Sequence, residues 1–126
     1  MSSPTQQRGY RVEAAALGYL RHQGLRLLQR NYSCRHGEID LVMRHRSSLN
    51  RDILVFVEVR YRRSNQYGSA AASVGPTKQR RLQKTAEHYR QRHPLQKIWP
   101  ARFDIVAVSG SLDNPCFSWL VSAFEC

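Results

Sequence analysis

Two short runs, Gly37-Glu38-Ile39-Asp40-Leu41-Val42 and Val55-Phe56-Val57-Glu58-Val59-Arg60, set carboxylates into segments that otherwise read as β-strand. Acids are seldom placed among apolar neighbours without a partner. The chain has nine Asp and Glu against twenty Lys and Arg, so two acids in its most β-prone segments are a costly use of a scarce residue. If the polar stretch between the runs is a hairpin centred near Leu49, residues equidistant from Leu49 face each other. Asp40 then opposes Glu58 and Glu38 opposes Arg60, with facing Cβ atoms about 5 Å apart. Like charges at that spacing need a cation or a proton between them. A divalent metal, Mg²⁺ or Mn²⁺, fits that need, because hard cations take carboxylate and phosphate oxygens and support phosphodiester hydrolysis. The bland alternative is that Asp40 or Glu58 pairs with Arg60 or Arg102.

Other residues can be added to this pair. Glu13 flanks the apolar stripe of the first predicted helix and can point toward the sheet edge, although alone it reads as a solvated helix residue. Lys78 and Gln79 fall in the first turn of a second helix, where they can reach a phosphate, and Arg80, Arg81 and Lys84 extend its basic face. With Arg60, Arg62 and Arg63 they outline a basic groove floored by the acids, with Tyr61 and Tyr67 available for stacking. Asp104 is either a separate structural ion pair or a contributor to the same site. The five histidines have no zinc spacing, and there is no phosphate loop or serine elbow.

These residues need elements to hold them. Val12, Ala15, Ala16, Tyr19 and Leu20 recur at helical spacing and predict a helix over residues 8–22, closed by Gly24. Strands are predicted over 25–32, 37–43 and 53–61, with a turn over 31–37 and a hairpin loop over 44–52. The third strand is apolar on both faces, as a central strand is. Residues 62–76, rich in Ser, Gly and Ala, read as a mobile connection, and loops that long are often functional. Thr77 can cap a helix to about residue 92 that buries Leu82, Ala86 and Tyr89. Pro94 and Pro100 bracket a second connection, and strands follow over 102–108 and 116–121. The order is α-β-β-β-α-β-β: a single α/β domain over residues 8–126, preceded by a disordered tail over 1–7.

At 126 residues the chain suits one core. Its formal charge of +11 creates a field that attracts polyanions, with nucleic acid the leading partner class. Three cysteines without CxxC spacing fit free thiols in a reducing compartment. The polar N-terminus lacks a signal-peptide core, and no apolar run approaches the ~18 residues of a membrane span. A soluble cytoplasmic protein is expected.

Taken together, Glu13-Ala14-Ala15-Ala16 with Tyr19-Leu20, Asn31, the two acid-bearing strands, Lys78-Gln79, Arg102-Phe103-Asp104 and Ala123-Phe124 resemble the YraN-like family of endonuclease-like proteins. That family lies within the PD-(D/E)XK superfamily, related to archaeal Holliday junction resolvases. The resemblance spans about residues 9–124 and is more specific for the family than for activity. It implies a restriction-endonuclease-like mixed sheet flanked by helices, with Glu13, Asp40 and Glu58 as metal-binding acids and Lys78 and Gln79 as helix positions near the site. It further implies action on nucleic acid, DNA first and branched DNA among its forms; a homodimer would suit a four-way junction. Arg60 departs from the superfamily pattern, which ends in Lys, because Arg stays protonated and cannot accept a proton. Arg60 can still hold phosphate, with Lys78 or the metal taking over the missing role. A non-cleaving nucleic-acid binder and a scaffold for a DNA-processing partner are the competing expectations.

Overall fold

In the computed structural model, which describes residues 4–62 and 73–125, the chain runs α1 (Pro4–His22), β1 (Arg26–Cys34), β2 (Gly37–Arg46), β3 (Asp52–Arg62), α2 (Pro76–Gln91), α3 (Pro94–Lys97), β4 (Ala101–Ser111) and β5 (Asn114–Phe124). The strands form one sheet in the order β1-β2-β3-β4-β5. All neighbours are antiparallel except β3 and β4, which are parallel and joined through α2. This is a mixed α/β domain with the expected element order, plus the single turn α3, which begins at Pro94 and ends before Pro100.

β3 is central, as its two apolar faces require. Val55 and Val57 belong to a cluster with Val12, Ala16, Leu17 and Leu20 of α1. Leu54 and Phe56 belong to a second cluster with Leu82, Ala86 and Tyr89 of α2. The sheet is therefore sandwiched between the two long helices, and α2 buries the stripe that its sequence spacing predicts.

Several boundaries differ from the sequence expectation, each for a local reason. α1 starts at Pro4, so residues 4–7, expected in the disordered tail, are helical; a proline without an N–H costs nothing in a first turn. Its other end closes as predicted: Gly24 has φ 96°, and Leu25 N–H returns to the Leu20 carbonyl at 3.0 Å. β1 runs on through the expected turn, because Cys34 pairs with Gly37 across a two-residue turn, Arg35-His36. β2 and β3 extend into the expected hairpin loop, where Asp52 holds Arg44 at 2.7 Å and Arg46 at 3.5 Å. α2 begins at Pro76 after Gly75, with no side-chain cap bond. Thr77 is thus inside the first turn rather than its cap, and its hydroxyl accepts from Arg80 at 3.4 Å. The connection expected over 62–76 lies mostly outside the described residues, as do Arg63 and Tyr67. Among the described residues, Cys34 and Cys116 are free thiols, and no helix is long and apolar enough to cross a membrane.

Candidate metal and phosphate site

The β2–β3 ladder has the register expected from a hairpin centred on Leu49: His45 pairs with Ile53 and Leu41 with Val57. It stops there. The next pair would be Asp40 with Glu58, but the Asp40 carboxylate instead accepts the Val59 N–H at 2.7 Å. Across β1, Asn31 stands at the position facing Asp40 with φ 52°, a left-handed conformation that Asn tolerates better than most residues. Face alternation breaks at this point. Ile39 and Val42 pack on the α2 side, whereas Leu41 and Met43 pack on the α1 side.

This kink redirects Glu38. It was expected to face Arg60; instead, Asn31 Nδ2 donates to Glu38 Oε1 at 3.0 Å and to Glu13 Oε1 at 2.9 Å. A neutral amide thus ties two carboxylates together without supplying positive charge. Arg30 approaches Glu13 only at 3.5 Å. Val12 and Ala16 bury their side of α1 against the sheet, which leaves Glu13 half-buried at the sheet edge. One carboxylate oxygen from each of Glu13, Glu38 and Asp40 lies within 4.8 Å of the others.

Electrostatics follow from that crowding. The Asp40 carboxyl is pushed from its ordinary 3.8 up to about 7, first by burial and then by the charges of Glu58, Glu13 and Glu38, against the lowering effect of the Val59 N–H. Glu58 is 6% exposed. Burial raises its pKa too, but Lys78 and Arg60 oppose the rise, with Lys78 Nζ at 3.3 Å and Arg60 Nε at 3.6 Å from Glu58 Oε1. Burial thus raises the proton affinity of both acids, with neighbouring carboxylates adding to the rise at Asp40 and neighbouring cations opposing it at Glu58.

Glu13 and Asp40 thus come together as expected, with Glu38 as the third member. Glu58 falls outside the group within 4.8 Å, yet lines the same cavity as Asp40. That cavity, about 310 Å³, is walled by Gly37, Glu38, Asp40, Glu58, Lys78, Arg81 and Leu82. α2 comes close here: a Cβ on Gly37, whose φ is 149°, would meet Thr85 Oγ1 at 3.4 Å. Arg80 and Lys84 are exposed along α2, and Arg62 is half-buried at the end of β3. Gln79 serves the backbone, its Nε2 donating to the Val74 carbonyl at 2.9 Å. Asp104 belongs elsewhere. It takes Arg102 Nε on both oxygens, Trp119 Nε1 and the Ser122 N–H, which makes it a structural ion pair.

The residues that sequence reasoning missed are Glu38 as an acid of the group and Asn31 as the clamp that aims it. An Asn facing an acid-bearing strand was the available signal, but its left-handed conformation is invisible in the residue types.

Residues 12–108 match the uncharacterised protein family UPF0102. The chain belongs to this family. Its UPF0102 relatives include a protein of Nitrosococcus oceani, 46% identical over 94% of this chain and 91% of that protein. Another, from Stutzerimonas stutzeri, is 46% identical over 98% of each chain. A third, from Cupriavidus necator, is 49% identical over 96% of this chain and 85% of its own length. The matched span of this UPF0102 chain contains Glu13, Glu38, Asp40 and Glu58 together with Asn31 and Lys78.

Proposed function

We propose that this protein is a divalent-metal-dependent endonuclease that hydrolyses phosphodiester bonds in nucleic acid, DNA in the first instance. The observation that carries the reading is the convergence of Glu13, Glu38 and Asp40, a like-charged set tied by a neutral amide. Four of the chain's nine acids lie in this one region of a +11 protein. Such crowding is relieved by a cation or a proton.

The donor set fits Mg²⁺ or Mn²⁺, because all three groups are hard carboxylate oxygens. One oxygen from each lies within 4.8 Å of the other two, so the three side chains would hold one such ion together. When bound there, the cation supplies Lewis acidity and offsets the negative charge that builds on the phosphoryl group. The protein's own residues do the rest. Lys78 and Arg81 face the cavity and hold non-bridging phosphate oxygens. Glu58, outside the three-acid group and with its proton affinity raised by burial, accepts the proton of the attacking water. Arg60 cannot accept that proton and orients phosphate and Glu58 instead. The succession of acids resembles that of YraN-like and other PD-(D/E)XK nucleases, which supports the same reading.

A second reading, a non-cleaving nucleic-acid binder, is favoured by Arg60 and by the pairing of Glu58 with cations. Labelled duplex, single-stranded and branched DNA, incubated in Mg²⁺ or Mn²⁺ with EDTA and Asp40→Asn controls, separates the two. Metal-dependent cleavage lost in Asp40→Asn supports the nuclease; binding without cleavage in wild type and in Arg60→Lys supports the binder. In either case log affinity against log salt should slope near −4 to −5 if about five phosphates are neutralised.

A further inference from the structure

The acid group has two sides, and they differ chemically. On the α2 side is the cavity carrying Lys78 and Arg81. On the α1 side is a second cavity of about 730 Å³, lined by Gln6, Gln7, Gly9, Tyr10, Glu13, Asn31 and Glu38. Glu38 belongs to both. Among the described residues its lining includes no Lys or Arg, and two of its walls are carboxylates. A phosphate would meet repulsion there. A neutral, flat group bearing N–H donors would not.

Tyr10 supplies the surface for such a group. It is a large aromatic side chain left 64% exposed, which places it among the few apolar surfaces the fold does not bury. Its position is defined nonetheless. The Arg30 guanidinium lies 4.5 Å from the ring centroid, and Arg30 also reaches Glu13 at 3.5 Å, which couples the ring to the acid group. Gln6 and Gln7 bring side-chain amides, while Glu13 and Glu38 bring acceptors suited to exocyclic amino groups.

We infer that the cavity beside Tyr10 receives an unpaired nucleobase, stacked on the Tyr10 ring, while the phosphate of the same strand lies on the Lys78–Arg81 side of the acids. This rests on the nucleic-acid reading above and specifies its substrate: a strand with at least one unstacked, unpaired nucleotide. A base inside an intact duplex offers neither a free face nor a free pairing edge. Base-on-aromatic stacking tolerates any sequence, since every base has a π-face.

The experiment compares a single-stranded DNA oligonucleotide carrying 2-aminopurine at successive positions with a blunt duplex of the same sequence, in Ca²⁺, by fluorescence and anisotropy. Wild-type protein should quench 2-aminopurine at one position and bind the single strand more tightly than the duplex. Tyr10→Ala should weaken single-strand binding about tenfold, leave duplex binding unchanged, and keep the wild-type melting temperature. Tyr10→Phe should behave as wild type. Single-strand affinity in Tyr10→Ala equal to wild type, or an equal loss on duplex, overturns the inference while leaving the nucleic-acid reading intact. No binding of either DNA by wild type overturns both.

Discussion

Asp40 and Asp104 are the same residue type in the same kind of place. Each sits on an inner strand where regular pairing is interrupted, and each accepts a main-chain N–H, from Val59 at 2.7 Å and from Ser122 at 3.0 Å. Each interruption has a residue of positive φ on the neighbouring strand, Asn31 at 52° and Ser122 at 53°. Their surroundings are opposite. Asp104, fully buried, has Arg102 Nε at 3.0 and 3.2 Å from its two oxygens and Trp119 Nε1 at 2.9 Å. Asp40 faces the charges of Glu58, Glu13 and Glu38. One aspartate therefore anchors the sheet, and the other is held in a state that the fold alone does not satisfy. The sign of the neighbouring charges decides between structure and chemistry, because a buried carboxylate is stable only when donors and cations offset its desolvation.

Removing the anchor should have the largest effect. Asp104→Ala leaves the Arg102 guanidinium and the Trp119 indole N–H without their acceptor, and should cost about 3–5 kcal/mol in urea denaturation. A loss below about 1 kcal/mol would show that the pair behaves as a surface ion pair and would erase the contrast.

Asp40→Asn should act in the opposite direction. Because the folded-state pKa of Asp40 is raised, from 3.8 to about 7, the folded protein holds a proton that the unfolded chain releases between those values. Stability therefore falls as pH rises through that window and levels off above it. Asn removes the charge while keeping an oxygen for the Val59 N–H. At about pH 8 the variant should be more stable than wild type, by roughly 1–3 kcal/mol, with the gain vanishing near about pH 4. Thermal melts across this range provide the check; a variant destabilised at every pH would mean that Asp40 is satisfied as Asp104 is.

The smallest effect sharpens the anchor side. Trp119→Phe removes one donor of the four contacts to Asp104 and keeps an aromatic ring beside Tyr19. It should cost about 1.5 kcal/mol, less than half of the Asp104→Ala loss at its upper end. Equal losses in the two variants would assign the anchor to the indole rather than to Arg102.

How much of this was legible in the sequence differs between the same two regions. The β2–β3 register could be read because the strands alternate regularly about Leu49, and the buried stripe of α2 because Leu82, Ala86 and Tyr89 keep helical spacing. The direction of Glu38 could not be read, since period-two alternation fails at Asp40, where Asn31 takes a left-handed conformation. Nor could the contact of Lys78 with Glu58, which depends on how the β3–α2 crossover returns α2 to the sheet. For Asp104 the neighbouring Arg102 was visible two residues away, whereas Trp119 and Ser122 come from β5, across an irregular stretch of the ladder. Local period reveals which face a residue takes; tertiary pairing decides which charges it meets there.

Calorimetric titration of Mn²⁺ into the nucleic-acid-free protein at about pH 8, where Asp40 is ionised, shows whether Glu13, Glu38 and Asp40 form a divalent-cation site. Wild-type protein should bind one Mn²⁺ per chain, with affinity weakening below about pH 7 as the proton competes. Glu38→Gln and Asp40→Asn should each weaken it at least about tenfold, and Glu58→Gln by less. Absence of Mn²⁺ binding by the wild type, or a Glu38→Gln variant that binds as tightly as wild type, would contradict it.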